Sequence, residues 1–416
     1  MQMPQCFLRL VLCVTCGALP GVALAQTAAP APTPPAAAAA PPPPTPIPFD
    51  DALLKAANDL FSKANLNGAP DKVTVVIDPL IDGVTGAQSK ATHLEEKRIA
   101  DLVKSSYPRF QVARFSAETL AKGPVVLIGT FTAVNNAGVA GGAKDAYRIC
   151  LALADMKTKT IISKGVARAL PEGIDPTPAA FFNDSPVFAR DSSTDSYVKT
   201  CQGTKVGDNV DQAYADRIVV ASLVNDGIEA YDAGRYRDAL DAYQSALKTP
   251  GGEQLRVLNG IYLANTRLRR TRAAMDAFGK VVDYGLASDK LAVKFLFKPG
   301  STLFVNDRSL RAPYDSWLQK IAERTAAKQG CLEVVGHTSA TGLPAVNDRL
   351  SALRADYIKD RLEDDQTTLH GRLIATGRGS REMIVGTGRD DASDALDRRV
   401  EFKVSPCGGA PGGRST

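Results

Sequence analysis

The sequence predicts a multi-domain α/β chain: an N-terminal α/β domain, a short all-α module and a C-terminal α/β sandwich. Three observations carry this. At 416 residues there is room for two or three cores. Residues 49–207 mix helical and strand-like patterns, whereas 211–290 carry helical periodicity alone. Residues 291–404 then return to strand and helix in alternation.

Composition narrows the function classes. A formal charge of +5 is too small to point to nucleic acid or to an anionic membrane surface. Three histidines, His93, His337 and His370, leave little material for a histidine-built metal centre. Aromatic residues are scarce, which argues against base-stacking platforms. No cofactor and no metal is expected.

Residues 1–25 read as an export signal. Arg9 is their only charge, an apolar run spans 10–24, and Ala23-Leu24-Ala25 offers small residues before a cleavage point at Gln26. Gly17, Pro20 and Gly21 break the run, so a permanent span is not expected there. Cys16-Gly17 resembles the start of a bacterial lipoprotein, but the preceding Cys13-Val14-Thr15 fits that pattern poorly. Residues 26–48 hold ten prolines in 23 positions and no charge. They read as an extended linker of roughly 70 Å. Loss of the signal leaves Cys150, Cys201, Cys331 and Cys407. An even number in an exported chain predicts two disulfides, and the domain reading favours Cys150–Cys201 and Cys331–Cys407.

In the 49–207 domain, strands are expected at 73–78, 110–115, 124–131, 146–155 and 161–170, and a helix at 93–107 with Ile99, Leu102 and Val103 inward. Asp78, Asp82 and Lys157 show no catalytic spacing and read as solvated loop charges. In the 211–290 module, Gly227, Gly234, Tyr236, Ala239, Tyr243 and Ala246 fall at the packing positions of a helix pair, with Pro250 just beyond. Ala239 and Ala246 would let the helices close up, and the two tyrosines would fill the gaps. The pattern resembles a tetratricopeptide repeat. A looser copy has Ala274, Phe278 and Val281, with Tyr262 where the first has Gly227. The resemblance implies a groove for a protein partner.

The last domain is read as strands at 291–304, 331–336, 371–379 and 397–404, with a turn at Pro299-Gly300 and a helix at 309–328. Leu310, Trp317, Leu318 and Ile321 lie near one face of that helix. Pro344 suits the first turn of a second helix, on which Leu350, Leu353 and Tyr357 are expected inward. Asn347, Ser351 and Arg354 share a neighbouring face. The tail at 405–416 is expected to be flexible.

The segments FKPGS (297–301), GHTSATG (336–342), NDRLSALRA (347–355) and DRRVEF (397–402) resemble the OmpA-like (OmpA/MotB C-terminal) family over about a quarter of the chain. The resemblance implies a non-enzymatic domain that binds peptidoglycan, in the periplasm and associated with the outer membrane of a Gram-negative type of envelope. It implies a binding site made of Thr338, Ser339, Asn347, Ser351, Arg354, Asp397 and Arg398. In that site an arginine, here Arg354, offers its planar fork to the carboxylate of the stem diamino acid. Two positions depart from the family pattern. Ser339 stands where the family has an aspartate, and Asp397 where it has an asparagine. Losing a charge-assisted contact at Ser339 would cost about 1–3 kcal/mol. Asp397 is one source of the missing negative charge. His337 and Ser339 lie two residues apart, but the sequence fixes no third residue to orient the histidine, so catalysis is not expected. His337 reads as a loop histidine bonded to backbone. The competing class is an interaction scaffold whose OmpA-like site has lost or changed its ligand.

Overall fold

The structure, a computed structural model, describes residues 43–66, 71–140, 144–187, 190–298, 300–305, 308–328, 330–386, 393–405 and 407. The side chains of 308–313, 393 and 395 are outside that description. The export signal, linker residues 26–42, Pro299, the Leu310 side chain and all of the tail except Ser405 and Cys407 therefore lie outside the described residues.

The first part is a mixed α/β layer. Helix α1 (Phe49–Ser62) precedes strands β1 (Val73–Ile77) and β2 (Ile81–Asp82), then α2 (Lys90–Ser106), β3 (Phe110–Ala113) and α3 (Ala117–Leu120). Three long strands follow, β4 (Val125–Val134), β5 (Ala146–Asp155) and β6 (Thr160–Ala169), in the sheet order β3-β1-β4-β5-β6 with β2 beside β4. β4 to β6 form an antiparallel meander, whereas β1 and β3 pair in parallel. Both faces of β4 are buried, and its run of Val, Leu and Ile fits such a central strand. Ser89 caps α2 in a reciprocal box with Thr92. The end of the proline-rich segment is part of this layer, because Ile47 exchanges backbone bonds with β6 at Arg168 and Leu170. The linker thus ends before residue 48.

Helices α4 (Ala180–Asp184) and α5 (Ser192–Gln202) lead into the helical module. It comprises α6 (Gln212–Asp232), α7 (Tyr236–Lys248), α8 (Leu255–Arg267) and α9 (Thr271–Ala287). Ala239, Tyr243 and Ala246 are fully buried, and Gly227 and Gly260 both lie against the Tyr243 ring. A Cβ at Gly227 would sit 2.5 Å from that ring, so the close approach requires glycine there.

The C-terminal part holds β7 (Leu291–Val293), α10 (Arg308–Ala326), β8 (Cys331–Gly336), α11 (Pro344–Asp365), β9 (Leu373–Gly377) and β10 (Val400–Ser405), in the sheet order β7-β10-β8-β9. Pro344 opens α11, as its fixed φ suits a first turn. On β10, Val400 and Phe402 are buried, but Val404 at its end is half exposed. One apolar core runs from the helical module into this sheet through Tyr262, Phe278 and Trp317. No helix among the described residues is long and apolar enough to cross a membrane.

Cys331 and Cys407 are bridged. Cys150 and Cys201 correct the second expected pairing. They are neighbours, with Sγ atoms 2.8 Å apart, but each remains a buried thiol that donates to the other's carbonyl oxygen. Their polar needs are met without a bond.

Asp78 is likewise not a solvated loop charge. It is buried at the end of β1, where the Tyr214 hydroxyl of α6 donates to its Oδ2 at 2.7 Å. Glu96 of α2 lies at the same seam and accepts from the Leu80 N–H at 2.7 Å. Burial pushes Asp78 up to about 7, partly offset by the Tyr214 bond and Arg256. Burial pushes Glu96 up to about 8, with Asp78 and Glu229 adding repulsion against the Leu80 bond. The folded chain therefore holds these protons where the unfolded chain, with ordinary values of 3.8 and 4.5, has lost them. That stability is full below the ordinary values and is lost as pH rises through 7 to 8. Thermal unfolding should show a falling melting temperature from about pH 5 to about pH 9. Glu96→Gln, which keeps an oxygen for Leu80, should flatten that fall, and an unchanged slope would remove Glu96 as a source.

Candidate functional site

The site expected from the sequence sits where β8 and β9 end under α11. A Cβ at Gly336 would lie 2.2 Å from the Ser351 carbonyl oxygen, and one at Gly377 would lie 2.4 Å from the Ala352 nitrogen. These two glycines let α11 rest directly on the sheet. The face it turns inward carries Asn347, Ser351 and Arg354 together with Ala355, Ile358 and Leu362. Leu353, expected inward, is instead exposed, as are Leu343 and Val346. Leu350 and Tyr357 are half-buried. At its first turns the helix is rotated relative to its apolar pattern, because the close approach at Gly336 and Gly377 leaves little room for a leucine there.

The inward polar face is closed by hydrogen bonds. Asn347 Nδ2 donates to the carbonyl oxygens of Ser339 (3.3 Å) and Thr341 (3.1 Å), which holds the loop after β8. Ser339 Oγ lies 3.1 Å from Thr341 Oγ1. Ser351 Oγ accepts from the Gly379 N–H at 2.8 Å, and the Thr338 N–H donates to the Gly379 oxygen at 2.9 Å. The Thr338 hydroxyl is buried and has no hydrogen-bond partner among the described residues. Arg354 is 3% exposed. Its Nε donates to the Ser301 oxygen (3.1 Å), its Nη2 donates to the Lys298 oxygen (3.2 Å), and its guanidinium lies 4.8 Å from the Phe297 ring centre. The FKPGS segment is thus the cradle of the arginine.

Asp397 does not face solvent. Its carboxylate accepts the backbone N–H groups of Ile384 (2.6 Å), Val385 (2.9 Å) and Gly386 (2.7 Å). Three charge-assisted bonds make it the anchor of that loop. Arg398 is half-buried. The structure therefore joins Thr338, Ser339, Asn347 and Ser351 in one network, places Arg354 on the FKPGS segment, and gives Asp397 a loop of its own.

His337 departs from the expected backbone-bonded loop residue. It is 2% exposed, with Nε2 3.5 Å from Glu401 and Nδ1 3.9 Å from Glu382. Neither ring nitrogen has a hydrogen-bond partner among the described residues. Arg399 is buried beside them and donates from Nε to Glu401 at 2.7 Å. Burial opposes the Glu401 charge, but His337 and Arg399 outweigh it and hold the carboxyl below the usual range. His337, Glu382 and Glu401 bring three donor atoms within 4.8 Å of one another, a spacing that suits a metal ion. Arg399 on one Glu401 oxygen and Lys403, 3.3 Å from the other, already neutralise that carboxylate. A divalent ion would have to displace them, so the set is an ion-pair cage around the imidazole. The sequence carries no signal for this cage, because its members come from three separate segments.

Residues 296–395 match the OmpA family. The OmpA domain lies inside the expected 291–404 span, and the match ends two residues before Asp397. Among solved structures, the chain is similar to the peptidoglycan-associated lipoprotein from Burkholderia pseudomallei, with 21% identity over 27% of this chain and 88% of that one, at a TM-score of 0.23. It is also similar to the cell wall anchor of the T6SS from Pseudomonas aeruginosa, with 25% identity, 28% and 80% coverage and a TM-score of 0.24. The periplasmic domain of Helicobacter pylori MotB gives 19% identity, 28% and 72% coverage and a TM-score of 0.23. No curated protein matches the chain.

Because Asp397 satisfies three donors, Asp397→Ala should release the 384–386 loop. Unfolding measurements should show a loss of about 1–3 kcal/mol, the cost of buried donors left unpaired. Hydrogen exchange of the Ile384, Val385 and Gly386 amides should rise with it. Unchanged exchange there would mean that other contacts hold the loop.

Proposed function

We propose that the chain is a non-enzymatic cell-envelope protein whose OmpA domain binds peptidoglycan without cutting it, with Arg354 meeting a carboxylate of the stem diamino acid. The observation that carries this reading is the mounting of Arg354. Two backbone carbonyls and the Phe297 face fix the guanidinium plane, so little side-chain freedom is left to lose when a carboxylate binds. Thr338, Ser339, Asn347 and Ser351 shape the loop beside it, and Asp397 and Arg398 complete the site by positioning. The expected export signal places the chain in the periplasm, at the wall and the outer membrane.

A second reading is favoured by one observation. Ser339 brings no charge where the family has an aspartate, and the Asn347 and Ser351 side chains are engaged with backbone. On that reading the OmpA domain has lost its ligand and the chain is an interaction scaffold. A partner would sit in the groove of about 330 Å³ on α7 to α9, lined by Gln244, Leu258, Asn265, Arg270 and Lys280.

Retention of the full chain on purified sacculi separates the two. Arg354→Ala is expected to weaken binding by about tenfold or more, the scale of a lost charged hydrogen bond. Ser339→Asp should strengthen it by a smaller factor. Equal retention of the wild type and Arg354→Ala would take Arg354 out of the site. If wild type fails to bind but Ser339→Asp binds, the scaffold reading holds.

A further inference from the structure

A cleft of about 90 Å³ separates the α/β layer from the loop that Asp397 holds. One wall is Phe131 and Tyr147, whose rings stack at 4.4 Å and 3°, with Pro178. The other is Val385 and Leu396 of the C-terminal domain. Two opposite charges, Asp82 and Lys144, open into this mostly apolar space.

The chain settles each charge only in part: the Thr85 side chain also favours the Asp82 charge, and Asp397 also favours that of Lys144. Among the described residues neither Asp82 nor Lys144 forms an ion pair within 4.0 Å, although each favours the charged form of the other. Asp82 Oδ1 accepts the Val84 and Thr85 N–H groups. Lys144 Nζ donates to the Ala140 oxygen, and its Cε lies 3.7 Å from the Cβ position of Gly386 on the opposite wall. Burial pushes the Asp82 carboxyl up and the Lys144 ammonium down, so holding both charges at the cleft is costly.

We propose that this cleft binds a small zwitterion of the amino-acid class, its carboxylate at Lys144 and its ammonium at Asp82. A simple anion would be repelled by Asp82 and a simple cation by Lys144, so a ligand carrying both charges is the one that relieves both. The volume equals roughly three waters at about 30 Å³ each, which fits an amino-acid head group with a small apolar side chain. The two walls come from different domains, so the site exists only where the C-terminal domain is docked. The proposal rests on the cleft and not on the wall-binding reading.

Calorimetric titration of the full chain with L- and D-alanine, propionate and ethylamine tests it. At least one alanine enantiomer should bind with a Kd below about 10 mM, and propionate and ethylamine about tenfold or more weaker. Lys144→Met and Asp82→Asn should each weaken alanine binding by about tenfold or more. Val385→Phe, which fills the cleft and keeps both charges, should abolish it, with unchanged melting to show that the fold is intact. Arg354→Ala should bind alanine like wild type, which separates this site from the wall site. Propionate binding as tightly as alanine, alanine binding that survives Val385→Phe, or no saturable binding below that Kd would each overturn the proposal.

Discussion

The position of the arginine depends on an aromatic junction that lies well away from it. Trp317 of α10 is buried and donates its indole N–H to the Tyr262 hydroxyl of α8 at 2.8 Å, while its ring packs 5.8 Å from Phe278 of α9. A buried indole needs such an acceptor, and Tyr262 supplies it from the helical module. From Trp317 the packing continues through Phe295, Phe304 and Phe297 to the guanidinium of Arg354. The helical module therefore supplies one side of the core on which the C-terminal site is built. The expected boundary at residue 290 divides the chain by pattern, whereas the packing crosses it.

Charge is handled by a different device at each seam. Asp397 is met by three backbone donors, and Glu401 is held below the usual carboxylate range by His337 and Arg399 against its burial. Asp78 and Glu96 have no comparable set of donors, so burial dominates and raises them towards neutrality. The contact between the α/β layer and α6 is thus sensitive to pH around neutrality.

Much of the fold was legible in the sequence, and the failures have physical causes. Strands with apolar runs, such as Ile149 to Ala154 and Val334-Val335, are legible because burial on both faces leaves a continuous apolar signal. Helix α5 was not read because its buried positions include Thr194, Ser196 and Thr200, which carry no apolar stripe. Helix α1 was missed because alanines make up half of its buried face. The rotation of α11 was invisible for the opposite reason. Its leucines and valine form a clear stripe, but Gly336 and Gly377 bring the sheet so close that the polar stripe goes inward. Asn347, Ser351 and Arg354 do share one face, as their spacing predicts, but that face is buried against the sheet and its loops. Asp82 and Lys144 lie 62 positions apart, so no spacing rule could pair them.

The shared core also constrains how the C-terminal sheet can move against the helices. Tyr262, Phe278 and Trp317 are each at most 6% exposed, and aromatic side chains bury roughly 150–250 Å² apiece. Pulling the helices from the C-terminal sheet would expose much of that area, at about 25 cal/mol per Å², for a cost of several kcal/mol. The helical module is then not an arm that swings to collect a partner while the OmpA domain stays fixed. A ligand that strains the arginine's cradle would be felt at α8 and α9, because Phe297, Phe304, Phe295 and Trp317 form one packed series between them. Close-packed interiors transmit such strain instead of absorbing it. The junction between the helices and the site is therefore a packed seam and not a hinge.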